Sequence, residues 1–178
     1  TYQTTVGTGR SVLRENLTPN TTFGLTAWSY DPVSSGERSS DWSETASGTS
    51  ISLVTNYTFN GDILPTADYD YTLGGLVTST ADGKLKIEGA KSSTNVASAV
   101  YLNGFRLNPN PIIRVTSTSV VNGKLRLTVE TEYPGQIVTF QETTDLTSTW
   151  AISTSGTIVA QHGPIITVDF PLNVGRTF

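Results

Sequence analysis

The sequence predicts an all-β protein. Where periodicity is visible it has a period of two, turn-forming pairs built on Gly, Pro and Asn punctuate the chain, and no window joins helical periodicity to helix caps. Turn signals recur about every ten residues, the spacing of sandwiches and barrels.

In order along the chain, residues 10–14 and 22–30 read as strands around a Pro19-Asn20 turn. Residues 31–50 are rich in Ser, Gly, Asp and Glu and read as a long exposed loop. Residues 55–59 form a short strand. Residues 70–78 are expected to pair with 84–89 through Asp82-Gly83, and residues 96–107 make a longer strand. Asn108-Pro109-Asn110-Pro111 cannot continue a central strand, because proline lacks the ladder donor, and it suits a short stiff linker. The expected organisation is a first domain over 1–108, a linker over 109–111 and a second domain over 112–178, with no internal repeat.

The second domain carries the clearest pattern. Lys124-Leu125-Arg126-Leu127-Thr128-Val129-Glu130 alternates polar and apolar without error, which places Leu125, Leu127 and Val129 toward a core. Asn122-Gly123 precedes it and a β-branched, hydroxyl-rich run over 115–121 precedes that. Both turn residues tolerate the positive φ of a type I′ turn, so the three pieces predict a tight hairpin. Pro134-Gly135 marks another turn. Residues 136–141 read as a strand with Val138 and Phe140 on one face, and residues 156–161 and 165–170 as strands separated by His162-Gly163-Pro164.

Composition narrows function. The 178 residues include no Cys, no Met and one His, and only 15% are charged. A disulfide framework, thiol chemistry and Cys-ligated zinc are excluded. Acidic residues exceed basic ones in both halves, ten to seven up to Asn110 and five to four beyond it. Nucleic-acid binding and docking on an anionic membrane both need a basic footprint, and there is none. No apolar run is long enough to span a membrane. The absence of thiols and the uncharged polar surface suit a protein outside the cell or on its surface. Val174-Gly175-Arg176-Thr177-Phe178 has the pattern of a strand cut short, so the expectation is a parent chain that continues.

Several segments form a recognisable series: Leu17-Thr18-Pro19-Asn20, then Leu25-Thr26-Ala27-Trp28-Ser29-Tyr30-Asp31, Ser40-Asp41-Trp42, Tyr57-Thr58-Phe59-Asn60-Gly61 and Leu102-Asn103-Gly104-Phe105. Together, over most of residues 10–108, they resemble the jelly-roll, galactose-binding-like modules of secreted bacterial proteins. The resemblance implies a jelly-roll-like β-sandwich whose opening strands are missing before Thr1. The stretch from Leu127 to Trp150, with the terminal Gly175-Arg176-Thr177-Phe178, is similar to the small immunoglobulin-like modules of the same class of proteins. That likeness implies a second, immunoglobulin-like β-sandwich acting as a spacer or stacking unit.

The candidate site residues are aromatic and polar. Trp28, Tyr30 and Trp42 flank the acidic segment, where a ring can stack on a sugar and Asp31, Arg38 or Asp41 can bond its hydroxyls. Burial of the same aromatics in a core is the competing reading. Asp68-Tyr69-Asp70 with Asp62 supplies oxygen ligands of the kind calcium takes, but without the glycine-centred loop of an EF-hand, and it reads as a solvated acidic turn. No cofactor is expected. His162 has no nucleophile motif beside it and no acid pair is set in an apolar pocket, so no catalytic residue is assigned and the chain is not expected to be an enzyme. Asn16, Asn20 and Asn56 open N-glycosylation motifs.

The expectation is therefore an extracellular structural protein. It would be a subunit of a surface fibre, pilus-like filament or layer that associates with itself, with residues 1–11 as a strand donated to a neighbour. The alternative is a carbohydrate-binding module of a larger secreted enzyme or adhesin, with a glycan as its partner.

Overall fold

The computed structural model describes residues 9–46, 48–92, 99–109, 113–143, 147 and 149–172. The protein is all-β: the described residues hold thirteen strands and no helix. None therefore forms a helix long and apolar enough to cross a membrane. The chain divides into two compact units, Thr1–Pro111 with Glu132–Pro134, and Ile112–Thr131 with Gly135–Phe178.

The first unit contains β1 (Arg10–Arg14), β2 (Thr22–Trp28), β3 (Glu37–Glu44), β4 (Ile51–Asn60), β5 (Thr72–Thr78), β6 (Leu85–Lys91) and β7 (Gly104–Asn108). They make two antiparallel sheets, β1-β6-β3-β4 and β5-β2-β7. One core joins them: Phe23, Leu25 and Ala27 from β2 and Leu73 and Val77 from β5 meet Trp42, Tyr57, Phe59, Leu85 and Ile87 from the other sheet. Two sheets burying their inner faces against each other form a β-sandwich. The inward positions of β2 come at alternate residues, as the strand period requires.

The structure corrects several sequence expectations here. Residues 31–50 are not one exposed loop, because β3 runs through them and occupies the middle of its sheet. Its buried positions include Ser39, Ser40 and Glu44 beside Trp42, and a strand that buries hydroxyls and a carboxylate has no apolar alternation to read. β5 does not pair with β6. It pairs with β2, while β6 lies between β1 and β3 in the opposite sheet. The Asp82-Gly83 turn forms, with Gly83 at φ 71°, but it carries the chain between sheets. The expected strand over 96–107 shortens to Gly104–Asn108. Residues 96–98 lie outside the described residues, while Val100, Tyr101 and Leu102 are buried without strand pairing.

The second unit contains β8 (Arg114–Val121), β9 (Lys124–Glu130), β10 (Gln141–Glu142), β11 (Ala151–Ile152), β12 (Thr157–His162) and β13 (Ile165–Pro171). Four of them form an antiparallel sheet in the order β12-β13-β9-β8, and β10 pairs with β11. The β8–β9 hairpin turns on Asn122 (φ 50°) and Gly123 (φ 72°), as the sequence predicts. Ile166, Val168 and Phe170 form a small core, packed by Leu125, Leu127, Val138 and Phe140. Residues 136–140 are not a strand, and only Gln141–Glu142 pairs. Val138 and Phe140 still share the core, Phe140 meeting Phe170 edge-on at 5.1 Å, so the alternation there reflects packing without a ladder.

Candidate functional site

At one end of the first unit, the segments after β2, after β4 and before β7 meet around an aromatic cluster. Tyr30 stacks on Tyr71 with ring centroids 4.7 Å apart, and Phe59 meets Tyr30, Tyr71 and Tyr101 edge-on. The tyrosine hydroxyls point at backbone or at neighbouring side chains. Tyr30 donates to the Gly61 carbonyl (3.2 Å), Tyr57 to the Ser29 carbonyl (2.7 Å) and Tyr71 to the Ile63 carbonyl (2.8 Å). Burial pushes the Tyr57 hydroxyl far above its usual pKa, which keeps it a donor at any ordinary pH.

Asp31 is buried beside this cluster. Its carboxylate accepts from the Ser34 hydroxyl (2.7 Å) and the Val33 N–H (3.2 Å), and Ser34 Oγ lies 2.9 Å from the Tyr101 hydroxyl. Burial alone would raise the carboxyl pKa. The hydrogen bonds, with the nearby Arg38 guanidinium, outweigh it and hold the carboxyl below its ordinary value. Gly61 closes the arrangement, because a Cβ there would fall 1.7 Å from the Ser34 carbonyl oxygen.

The structure brings Tyr30, Asp31 and Arg38 together at this end and separates the rest of the expected sugar-contact set. Trp28 is half-buried at the end of β2, its Nε1 donating to the Asp68 carbonyl at 2.6 Å. Asp41 lies at a bulge of β3, where its carboxylate accepts from the Asn56 N–H (2.8 Å). Trp42 is 1% exposed, with Nε1 on Ser40 Oγ, so its ring belongs to the core and offers no face to a sugar.

Among the acids considered for calcium, Asp70 accepts from the Thr66 and Ala67 N–H groups and Asp62 from the Gly36 N–H. Asp68 contributes its carbonyl to Trp28. The Asp70 carboxylate closes a turn, and the Asp62 carboxylate ties together two segments distant in the chain. No group of three or more metal-ligating side chains occurs among the described residues. His162 is exposed at the end of β12.

Sequence reasoning singled out aromatics and passed over the two exposed edge strands of the sheet in the second unit. β8 stands at one edge of that sheet and β12 at the other. Every residue of β12 is exposed, and in β8 only Val121 is partly covered. Arg114 is the one charged residue of β8, and β12 has none apart from the titratable His162. Natural edge strands are usually guarded by lysine, proline, an inward-pointing charge or a β-bulge. Neither strand contains any of the first three, and each has a single bulge, between Val115 and Ser117 in β8 and between Ile158 and Ala160 in β12. The signal was present in the sequence, since Arg114-Val115-Thr116-Ser117-Thr118-Ser119-Val120-Val121 is strand-forming with one charge in eight residues.

An open, mostly apolar pocket of about 260 Å³ lies in the same unit, lined by Val138, Phe140, Ile152, Ile158 and Phe170 among others. It falls below the usual range of small-molecule sites, roughly 300–1,000 Å³.

No family model, curated protein or solved structure matches the chain.

Proposed function

We infer that this chain is an extracellular structural protein, a subunit that associates with copies of itself into a fibre, filament or layer by β-strand addition. The observation that carries the reading is the sheet of the second unit, whose two outer strands are exposed and almost free of charge. An edge of that kind presents unpaired N–H and C=O groups to any extended segment that approaches. A thiol-free, weakly charged surface supports an extracellular setting. In this reading the first unit is a jelly-roll-like module and the second an immunoglobulin-like one. Support comes from the two sheets that share a core in the first unit and the antiparallel sheet with a short second layer in the second.

The route of assembly departs from the one the sequence pointed to. Arg10 and Ser11, the end of the expected donor strand, pair with Gly89 and Glu88 of their own unit, and residues 1–8 lie outside the described residues. The open edges of the second unit replace that segment as the assembly element. Light scattering over a concentration series, with negative-stain electron microscopy, tests the reading: mass should rise with concentration and regular particles should form. A monomer at every concentration would remove it.

A carbohydrate-binding module is the second reading. Trp28 favours it as the expected aromatic that lies outside the buried core, beside Asp68. A glycan panel titrated against the wild type and Trp28→Ala tests it, and equal binding by the two removes Trp28 from any such site.

A further inference from the structure

We propose that two copies of the chain join through β8, antiparallel to each other about a two-fold axis at Ser119, so that two four-stranded sheets become one of eight strands. The inference rests on the self-association reading above and names the partner and register of the contact.

The register follows from the ladder that β8 makes with β9. Val115 lies opposite Val129, and then, after a bulge, Ser117 opposite Thr128, Thr118 opposite Leu127, Ser119 opposite Arg126 and Val120 opposite Leu125. Residues directly opposite share a sheet face. Val115, Thr118 and Val120 therefore lie on the face of Leu125 and Leu127, which packs the core, while Ser117 and Ser119 lie on the polar face with Arg126. The bulge between Val115 and Ser117 shifts this alternation, so the uninterrupted edge is Ser117–Val121.

On a regular antiparallel edge, only every second residue directs its N–H and C=O outward. Two copies of one edge therefore bond only where opposed residues have the same parity, which places a residue on the axis. Centring on Ser119 opposes Thr118 to Val120 on the apolar face and Ser117 to Val121 on the polar face. All five bulge-free residues are used. Val120, 65% exposed in the isolated chain, is covered. The antiparallel arrangement also sets the two Arg114 side chains about 30 Å apart, whereas a parallel one would place them side by side.

Other edges among the described strands are less suited. β12 has its own bulge between Ile158 and Ala160, which leaves no regular run of more than three residues. β1 carries Arg10 and Arg14, and β4 is interrupted at Asn56, which has φ 52°, and by register shifts against β3. β7 carries Arg106, and β5, though uncharged, is largely covered: only Leu76 and Thr78 are exposed, and Leu53 of β4 lies beside Gly75. Two-fold pairing is also the commonest symmetry of self-association, and it leaves β12, the opposite edge of the sheet, outside this contact.

The chain has no cysteine, so one introduced thiol reports the register without ambiguity. Opposed residues in an antiparallel pair have Cα atoms about 4.5–5.5 Å apart, inside the disulfide range of roughly 4.4–6.8 Å. Under mild oxidation Ser119→Cys should give about tenfold more covalent dimer than Ser117→Cys, whose own copy stands more than one disulfide length away. Ser119→Lys, which sets two ammonium groups against each other at an exposed position, should abolish the dimer and leave the circular dichroism spectrum unchanged. Equal cross-linking at 117 and 119, or undiminished association of Ser119→Lys, overturns the β8 contact and leaves self-association standing. A wild type that is monomeric at every concentration overturns both.

Discussion

Trp42 and Asp31 show how a sequence rich in hydroxyls builds a stable interior. The Trp42 indole is 1% exposed, and its N–H is matched by Ser40 Oγ, so the largest core side chain carries no unpaired polar atom. Trp42→Ala should cost about 3–5 kcal/mol, the usual range for removing a buried aromatic ring, read as a fall in the urea midpoint. Asp31 acts through charge. Its carboxyl is held below the ordinary 3.8 although burial opposes that, because hydrogen bonds from Ser34 and the Val33 N–H, with Tyr101 and Arg38 nearby, favour the ionised form. A lowered folded-state pKa stabilises the fold above the ordinary aspartate range, and that contribution is lost as pH falls through the folded value. Asp31→Asn should therefore melt below the wild type at pH 7, and the gap in Tm should narrow as pH is lowered through 4 toward 2. A constant gap would mean that the carboxylate charge contributes nothing.

At the scale of elements, the Asn122-Gly123 turn sets the geometry of the open edge. Gly123 has φ 72° with no atom near its missing Cβ, so substitution is limited by backbone conformation alone. Gly123→Ala should cost about 1–2 kcal/mol, the penalty of a left-handed conformation for a residue with a Cβ. Among the described strands β8 pairs only with β9, so the loss should show first as faster amide exchange in β8, with β13 unchanged. The hairpin was legible in the sequence because its turn chemistry and its alternation agree within one short window. β3 was not: Ser39, Ser40 and Glu44 are buried in it, and their burial is decided by neighbours in β4 and β6 that sequence spacing does not reveal. The same limit explains the expected pairing of β5 with β6. A turn sequence fixes the local reversal and leaves open which sheet the next strand enters. Of the candidate site, Tyr30, Asp31 and Arg38 come together, whereas Trp42 looks the same in sequence whether it faces solvent or core. The uncharged edge of β8 was legible in composition, and its exposure followed only from the strand order.

For the whole molecule, the two units differ sharply in what they bury. The first has one continuous core drawn from both sheets and the segment before β7. The second clusters Ile166, Val168 and Phe170, with four partly buried residues packed on them. Burial of apolar area is the main favourable term in folding, so the second unit should be the weaker and should unfold first. Its polar contacts do not reverse this. The bidentate pair of Arg126 with Asp169, at 2.7 and 2.9 Å, is part-buried, the Asp169 side chain being 7% exposed, and the desolvation of such a pair offsets much of its attraction. The tryptophans make the expectation measurable, because Trp28 and Trp42 belong to the first unit and Trp150 to the second. In urea, a Trp150-only variant (Trp28→Phe with Trp42→Phe) should report a transition at lower denaturant than Trp42 does in Trp150→Phe. Phe170→Ala removes a ring that is 1% exposed and should cost about 3–5 kcal/mol. That is comparable to the entire stability of a small core, so the Trp150 transition should collapse while the Trp42 transition keeps its midpoint. Coincident transitions that shift together in Phe170→Ala would instead show that the chain unfolds as one cooperative body.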